Sequence, residues 1–82
     1  LQLGNDNSAS ILQDGDDNSA YVTQIGDDNV AADIAQYGND NAAGIDQIGD
    51  GNSASITQGV LDATDGNDNV AFVFQLGDNN TA

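Results

Sequence analysis

The sequence predicts an all-β fold, a two-sheet parallel β-solenoid of stacked strand–turn–strand coils. Three observations predict it: a period of 11 residues carried through seven units, alternation of side-chain character inside each unit, and a turn rich in Gly, Asp and Asn between units. Self-similarity at a fixed period marks a repeat architecture, and alternating faces mark a strand with one buried side.

The repeat is read from four residue types. Gln recurs at Gln2, Gln13, Gln24, Gln36, Gln47, Gln58 and Gln75. Gly follows two residues later at Gly4, Gly15, Gly26, Gly38, Gly49 and Gly77. Asn comes three after Gly, at Asn7, Asn18, Asn29, Asn41, Asn52 and Asn80, and Ala two further on, at Ala9, Ala20, Ala31, Ala43, Ala54 and Ala82. The unit is Q-x-G-x-x-N-x-A-x-x-x. Two steps depart from it: Gln24 to Gln36 is one residue longer, and Gln58 to Gln75 is six longer, with Gly66, Asn69 and Ala71 resuming the pattern. The chain therefore reads as one domain, residues 1–82, with an insertion near 59–63.

Each element follows from this unit. From Asn to Gln, one face carries sets such as Asn18, Ala20, Val22 and Gln24, and the other small polar residues such as Ser53, Ser55 and Thr57. The x-G-x-x segments are turns, because Gly, Asp and Asn tolerate left-handed backbone angles. Two strands and two turns close one coil, so strands near 7–13, 29–36, 52–58 and 80–82 share one sheet. Those near 18–24, 41–47 and 69–75 share the facing one. The extra residue between Asn29 and Gln36 makes a bulge that turns Ile34 inward.

Composition excludes several functions. The chain carries 14 acidic residues, all Asp, and no Lys, Arg or His, for a formal charge of -14. Nucleic acid is read by Lys and Arg on phosphates, so no nucleic-acid partner is expected. No apolar run approaches the roughly 18 residues of a membrane span, so no membrane insertion is expected either. Without Cys, His or Met, disulfides and the usual zinc ligands are missing. Asp and Tyr alone are a poor set for acid–base catalysis, and the Asp residues repeat with the turns, so no enzyme is expected. The first residue is not Met and no secretory signal is visible, which reads as a processed or partial product.

An inward Gln or Asn needs a partner, because an unsatisfied buried amide costs roughly 1–3 kcal/mol. In a parallel, in-register stack each amide can bond the identical amide one coil away. The expected ladders are Gln13, Gln24, Gln36, Gln47, Gln58 and Gln75, with Asn7, Asn18, Asn29, Asn41, Asn52, Asn69 and Asn80. A one-residue slip would turn all of them outward, so they fix register.

The pattern Q-x-G-x-x-N-x-A followed by x-x-x-Q resembles the curlin repeat of curli fibre subunits, from Gln2 to Ala82 apart from the insertion. The resemblance implies a cross-β amyloid fibre of a bacterial biofilm matrix, extracellular or at the cell surface, with a structural, adhesive role. It implies a homopolymer of identical subunits, a nucleator subunit and an outer-membrane secretion channel as partners, and no required cofactor. Two departures stand beside it: every turn has the G-x-x-N form, and no basic residue occurs. The first and last residues, Leu1-Gln2-Leu3 and Asn80-Thr81-Ala82, lie inside repeats without Pro, Lys or a cap. Head-to-tail addition is expected from that, although an excised piece of a longer array would look the same.

Two further features are candidate sites. Asp clusters in the turns, where stacked like charges oppose assembly until salt or protonation relieves them. Those carboxylates are either a solvated acidic face or calcium ligands; Asp14, Asp16, Asp17, Asp65 and Asp68 are the calcium candidates. A calcium-dependent β-solenoid binding module of a secreted protein is the alternative function. On the outward face, Val70, Phe72 and Phe74, joined by Tyr21, form an apolar stripe suited to lateral contact between fibres. The alternative is that Val60 and Leu61 of the insertion cover it.

Overall fold

The computed structural model describes residues 1–59 and 68–82, and the regular elements among them are strands. In chain order they are β1 (Gln2–Leu3), β2 (Ala9–Asp14), β3 (Ser19–Ile25), β4 (Val30–Tyr37), β5 (Ala42–Ile48), β6 (Ser53–Gln58) and β7 (Val70–Leu76). They alternate between two parallel sheets of order β1-β3-β5-β7 and β2-β4-β6. Each strand thus lies beside the strand two units away, as a coil of two strands requires. The insertion, apart from Gly59, lies outside the described residues.

Register follows the repeat. Gln24 pairs with Gln47 and Gln47 with Gln75 in one sheet, and Gln13 pairs with Gln36 and Gln36 with Gln58 in the other. Parallel backbone bonding also runs through the turns: Gly26 N–H donates to Leu3 O, and Asp28 N–H to Asn5 O, both at 3.0 Å. The whole coil, not the strands alone, is hydrogen-bonded to the next.

Strand bounds differ from expectation. From β2 onward the strands start after Asn rather than at it, and all seven but β6 end one residue past Gln. Asn stands at the corner because the residue before it holds a positive φ, +55° at Asp17 and +57° at Asp28, which breaks the extended backbone. Residues 80–82, expected as a full strand, add a single parallel bridge, Ser53 to Thr81.

The bulge falls at the extra residue. Register shifts between Val30, opposite Ser53, and Ala32, opposite Ala54. The repeat pattern assigns the shared alanine to Ala31, whereas the backbone pairs Ala32 with Ala9 and Ala54. Ile34 thereby faces inward and is buried.

The core is narrow. Val22, Ala43 and Ile45 from one sheet meet Ile34, Ala54 and Ile56 from the other. Small and branched side chains fit the roughly 10 Å between facing sheets. Polar residues fill the rest of the interior: Gln24, Asn29, Gln36, Gln47 and Asn52 have 0% of their surface exposed.

Candidate functional site

The candidate site is the face that one coil presents to the next. Each strand places one Gln inward near its end, and parallel register sets these residues in two columns. Gln2 Nε2 donates to Gln24 Oε1 at 2.7 Å, Gln24 Nε2 to Gln47 Oε1 at 2.9 Å and Gln47 Nε2 to Gln75 Oε1 at 2.9 Å. In the facing sheet, Gln13 Nε2 donates to Gln36 Oε1 at 2.8 Å and Gln36 Nε2 to Gln58 Oε1 at 2.9 Å. The second amide hydrogen crosses to a corner of the coil: Gln24 Nε2 reaches Ser8 O and Gln36 Nε2 reaches Ser19 O, each at 3.0 Å. Gln24 and Gln36 therefore join one coil to the next and also tie the two sheets together.

The Asn residues are satisfied differently from the expected amide stack. Asn7 Oδ1 accepts Asn29 N–H at 3.1 Å, and Asn29 Oδ1 accepts Asn52 N–H at 3.0 Å. Asn52 Oδ1 accepts Asn80 N–H at 2.9 Å, while Asn18 and Asn41 do the same on the other edge, toward Asn41 and Asn69 N–H at 3.0 Å. The amide nitrogens of Asn7, Asn18 and Asn29 reach the carbonyls of Gly26, Gly38 and Gly49 in the following coil. Asn69 Nδ2 and Asn80 Nδ2 do bond amides, at Asn41 Oδ1 and Asn52 Oδ1. The corner explains the change. At the corner the Asn amide lies level with the peptide groups of the next turn, so Gly C=O and Asn N–H there compete with the equivalent amide for its bonds. Asn52 Nδ2 is buried without a partner; the coil that follows it arrives only after the longer step through the insertion.

The acidic turns bond as well. Asp27 Oδ1 accepts Asn5 N–H at 2.8 Å, Asp50 Oδ1 accepts Asp27 N–H at 2.8 Å, and Asp78 Oδ1 accepts Asp50 N–H at 3.0 Å. On the other edge Asn39 Oδ1 accepts Asp16 N–H at 2.8 Å. These residues were missed as contacts. The signal was available: every residue after a repeat Gly is Asn or Asp, from Asn5 to Asp78. Gly itself is required by crowding at this point. A Cβ on Gly26, whose φ is +122°, would stand 2.2 Å from Gly49 O.

The remaining candidates fall as follows. Asp14 ends β2 opposite Tyr37. Asp16, Asp17 and Asp68 share an edge, but the turn of Asn39 and Asp40 lies between them, since Asp40 N–H donates to Asp16 O and Asp68 N–H to Asn39 O. Asp65 lies outside the described residues. Among the described residues, no group of three carboxylates is close enough to hold a metal. Val70, Phe72 and Phe74 are exposed on β7, and Tyr21 on β3 is exposed two strands away. Gly44 on β5 separates them, and a Cβ there would meet Tyr21 Cε1 at 2.4 Å and Phe72 Cδ1 at 2.7 Å. The missing side chain lets the two rings approach to 6.1 Å between centroids. A glycine between two ring-bearing strands is the sign that sequence reading passed over.

The curlin associated repeat matches residues 4–32 and 31–59, well over half of the chain. The chain belongs to the curlin associated repeat family. The matched segments cover the strands β2 to β6 and turns on both edges. Curlin repeats mark a curli-type structural subunit rather than an enzyme, and curlin family subunits are extracellular or at the cell surface. No curated protein and no solved structure matches the chain.

Proposed function

We propose that this chain is a structural subunit that self-assembles head-to-tail into extracellular curli-like amyloid fibres of a bacterial biofilm matrix. The observation that carries the reading is the complementarity of a coil's two faces. Toward the following coil it presents Gln Nε2, Asn Nδ2, Asn Oδ1 and the N–H after Gly; toward the preceding one it presents Gln Oε1, Gly C=O, Asn N–H and the carboxylate after Gly. Any coil of a second copy satisfies those groups as a coil of the same chain does. Two like faces do not fit, because Gln Oε1 would meet Gln Oε1 and carboxylate would meet carboxylate. The fibre is therefore polar.

Identical subunits are the principal partner in this reading, which needs no cofactor. A nucleator subunit and an outer-membrane secretion channel complete the expected partner set. Negative-stain microscopy with fibre diffraction on the purified chain tests it. Unbranched fibres with an axial spacing of roughly 4.8 Å support the proposal. A chain that remains monomeric at concentrations and salt levels that screen its charge overturns it.

A further inference from the structure

We propose that the outward face of the β1-β3-β5-β7 sheet pairs laterally with the same face of a second copy, so that the mature fibre is two stacks wide. This inference rests on the fibre reading above and deepens it. Val70, Phe72 and Phe74 are 68%, 62% and 66% exposed, and Leu76 beside them is 69% exposed. Pairing with Ile48 and through it Ile25 makes Leu76 the end of an apolar column parallel to the stacking axis. Tyr21 and Phe72 close over Gly44 to make a second apolar column, and between the two columns run Thr23, Asp46 and Phe74. Val70, Phe72, Phe74 and Leu76 side by side on β7 form an exposed apolar patch, and such a patch marks a contact.

Charge and spacing select the occupant. The protein has 14 acidic residues and no basic side chain, so two copies repel wherever carboxylates face each other. Both turn edges are lined with Asp, and the outward face of β2-β4-β6 carries exposed Asp14 and Asp33. The opposite outward face holds one carboxylate, Asp46, and it is half-buried. That is where two polyanionic stacks can approach most closely. A second stack repeats the column of Leu3, Ile25, Ile48 and Leu76 at the same spacing of roughly 4.8 Å, so contact along that column is matched from coil to coil, and the patch of Phe72 and Phe74 recurs once in each subunit. The rings add quadrupolar contacts beyond burial of area.

The test is mass per unit length, measured by electron microscopy on fibres of the full chain and of the double variant Phe72→Thr, Phe74→Thr. Threonine keeps strand preference, and both side chains lie outside the core. The full chain is expected to form two-stack fibres, and the double variant fibres of unchanged axial spacing with about half the mass per length. Leu12→Thr, on the opposite outward face, is expected to leave the width unchanged. Single-stack fibres from the full chain overturn the pairing but leave head-to-tail assembly standing; another occupant of the face, residues 60–67 among them, would give that result. A double variant that keeps the full mass per length also overturns it. Absence of any fibre from the full chain overturns the fibre reading and the pairing with it.

Discussion

The Gln columns and the turn columns stack the same coils in opposite ways. In the interior, neutral amides bond one another out of water, and every link strengthens the next. At the edges, short side chains bond the backbone of the adjacent coil, and many of them carry charge. Gln24 and Gln47 in one column, and Gln36 in the facing one, are sealed from water. Asp27, Asp50 and Asp78 hold one that water and salt both reach. The difference teaches that the interior sets stability and register, whereas the edges set turn geometry and the electrostatic cost of each added coil.

The turn column breaks most severely at its glycine. In Gly26→Ala the new methyl group meets the Gly49 carbonyl, and the residue must hold a φ of +122°. Strain and overpacking together should cost about 3–5 kcal/mol. The soluble concentration left at assembly equilibrium should rise more than a hundredfold, since about 1.4 kcal/mol is tenfold.

Next comes the interior column. Gln47→Met keeps length and volume but strips the acceptor for Gln24 and the donor to Gln75. The loss should be about 1–3 kcal/mol, read from the same equilibrium. The equivalent change at exposed Gln2 should cost clearly less.

A gentler change separates charge from hydrogen bonding at the edge. Replacing Asp27, Asp50 and Asp78 by Asn keeps a δ oxygen to accept the neighbouring N–H, as Asn39 already does for Asp16. The triple variant should assemble with a shorter lag and a flatter dependence on salt, because screening over a Debye length of about 10 Å at 0.1 M then has less charge to act on. The corresponding Ala variant should lose the charge benefit in part, since the acceptor is gone as well. Equal salt dependence in the Asn variant and the parent would show that other carboxylates control assembly. The smallest effect is expected from calcium: adding it or a chelator should leave fibre yield and axial spacing unchanged, as diffraction would report.

Much of this was legible in the sequence because the side-chain period of a strand is fixed. Gln recurring with Gly two residues later places every amide on one face and every turn on an edge, and the sheets follow. The corners were less legible. Whether Asn bonds its equivalent or the backbone depends on where the chain bends, and that is set by the positive φ at Asp17, Asp28 and their equivalents rather than by the repeat itself. The same bend aims the carboxylates after Gly at the preceding coil, a contact that composition reads only as repulsion. The bulge was located to within the Asn29–Gln36 step, but the pairing of Ala32 rather than Ala31 depends on local backbone. Ring contact over Gly44 joins strands that are 51 residues apart between Tyr21 and Phe72, too distant for any local pattern to announce.

The central claim is that one chain supplies its own successive coils, so that Gln24 stacks on Gln47 rather than on the Gln24 of another molecule. Electron paramagnetic resonance on fibres labelled at a single position, Thr57→Cys with a nitroxide, tests it most directly. Thr57 is exposed on the outward face of β6, so the label leaves the interior intact. The solenoid predicts that labels on neighbouring subunits are at least three coil spacings apart, about 14 Å, and the spectrum shows no exchange narrowing. A single narrowed line, from labels stacked at roughly 4.8 Å, would mean that identical residues of different chains lie on one another, and would contradict the coil.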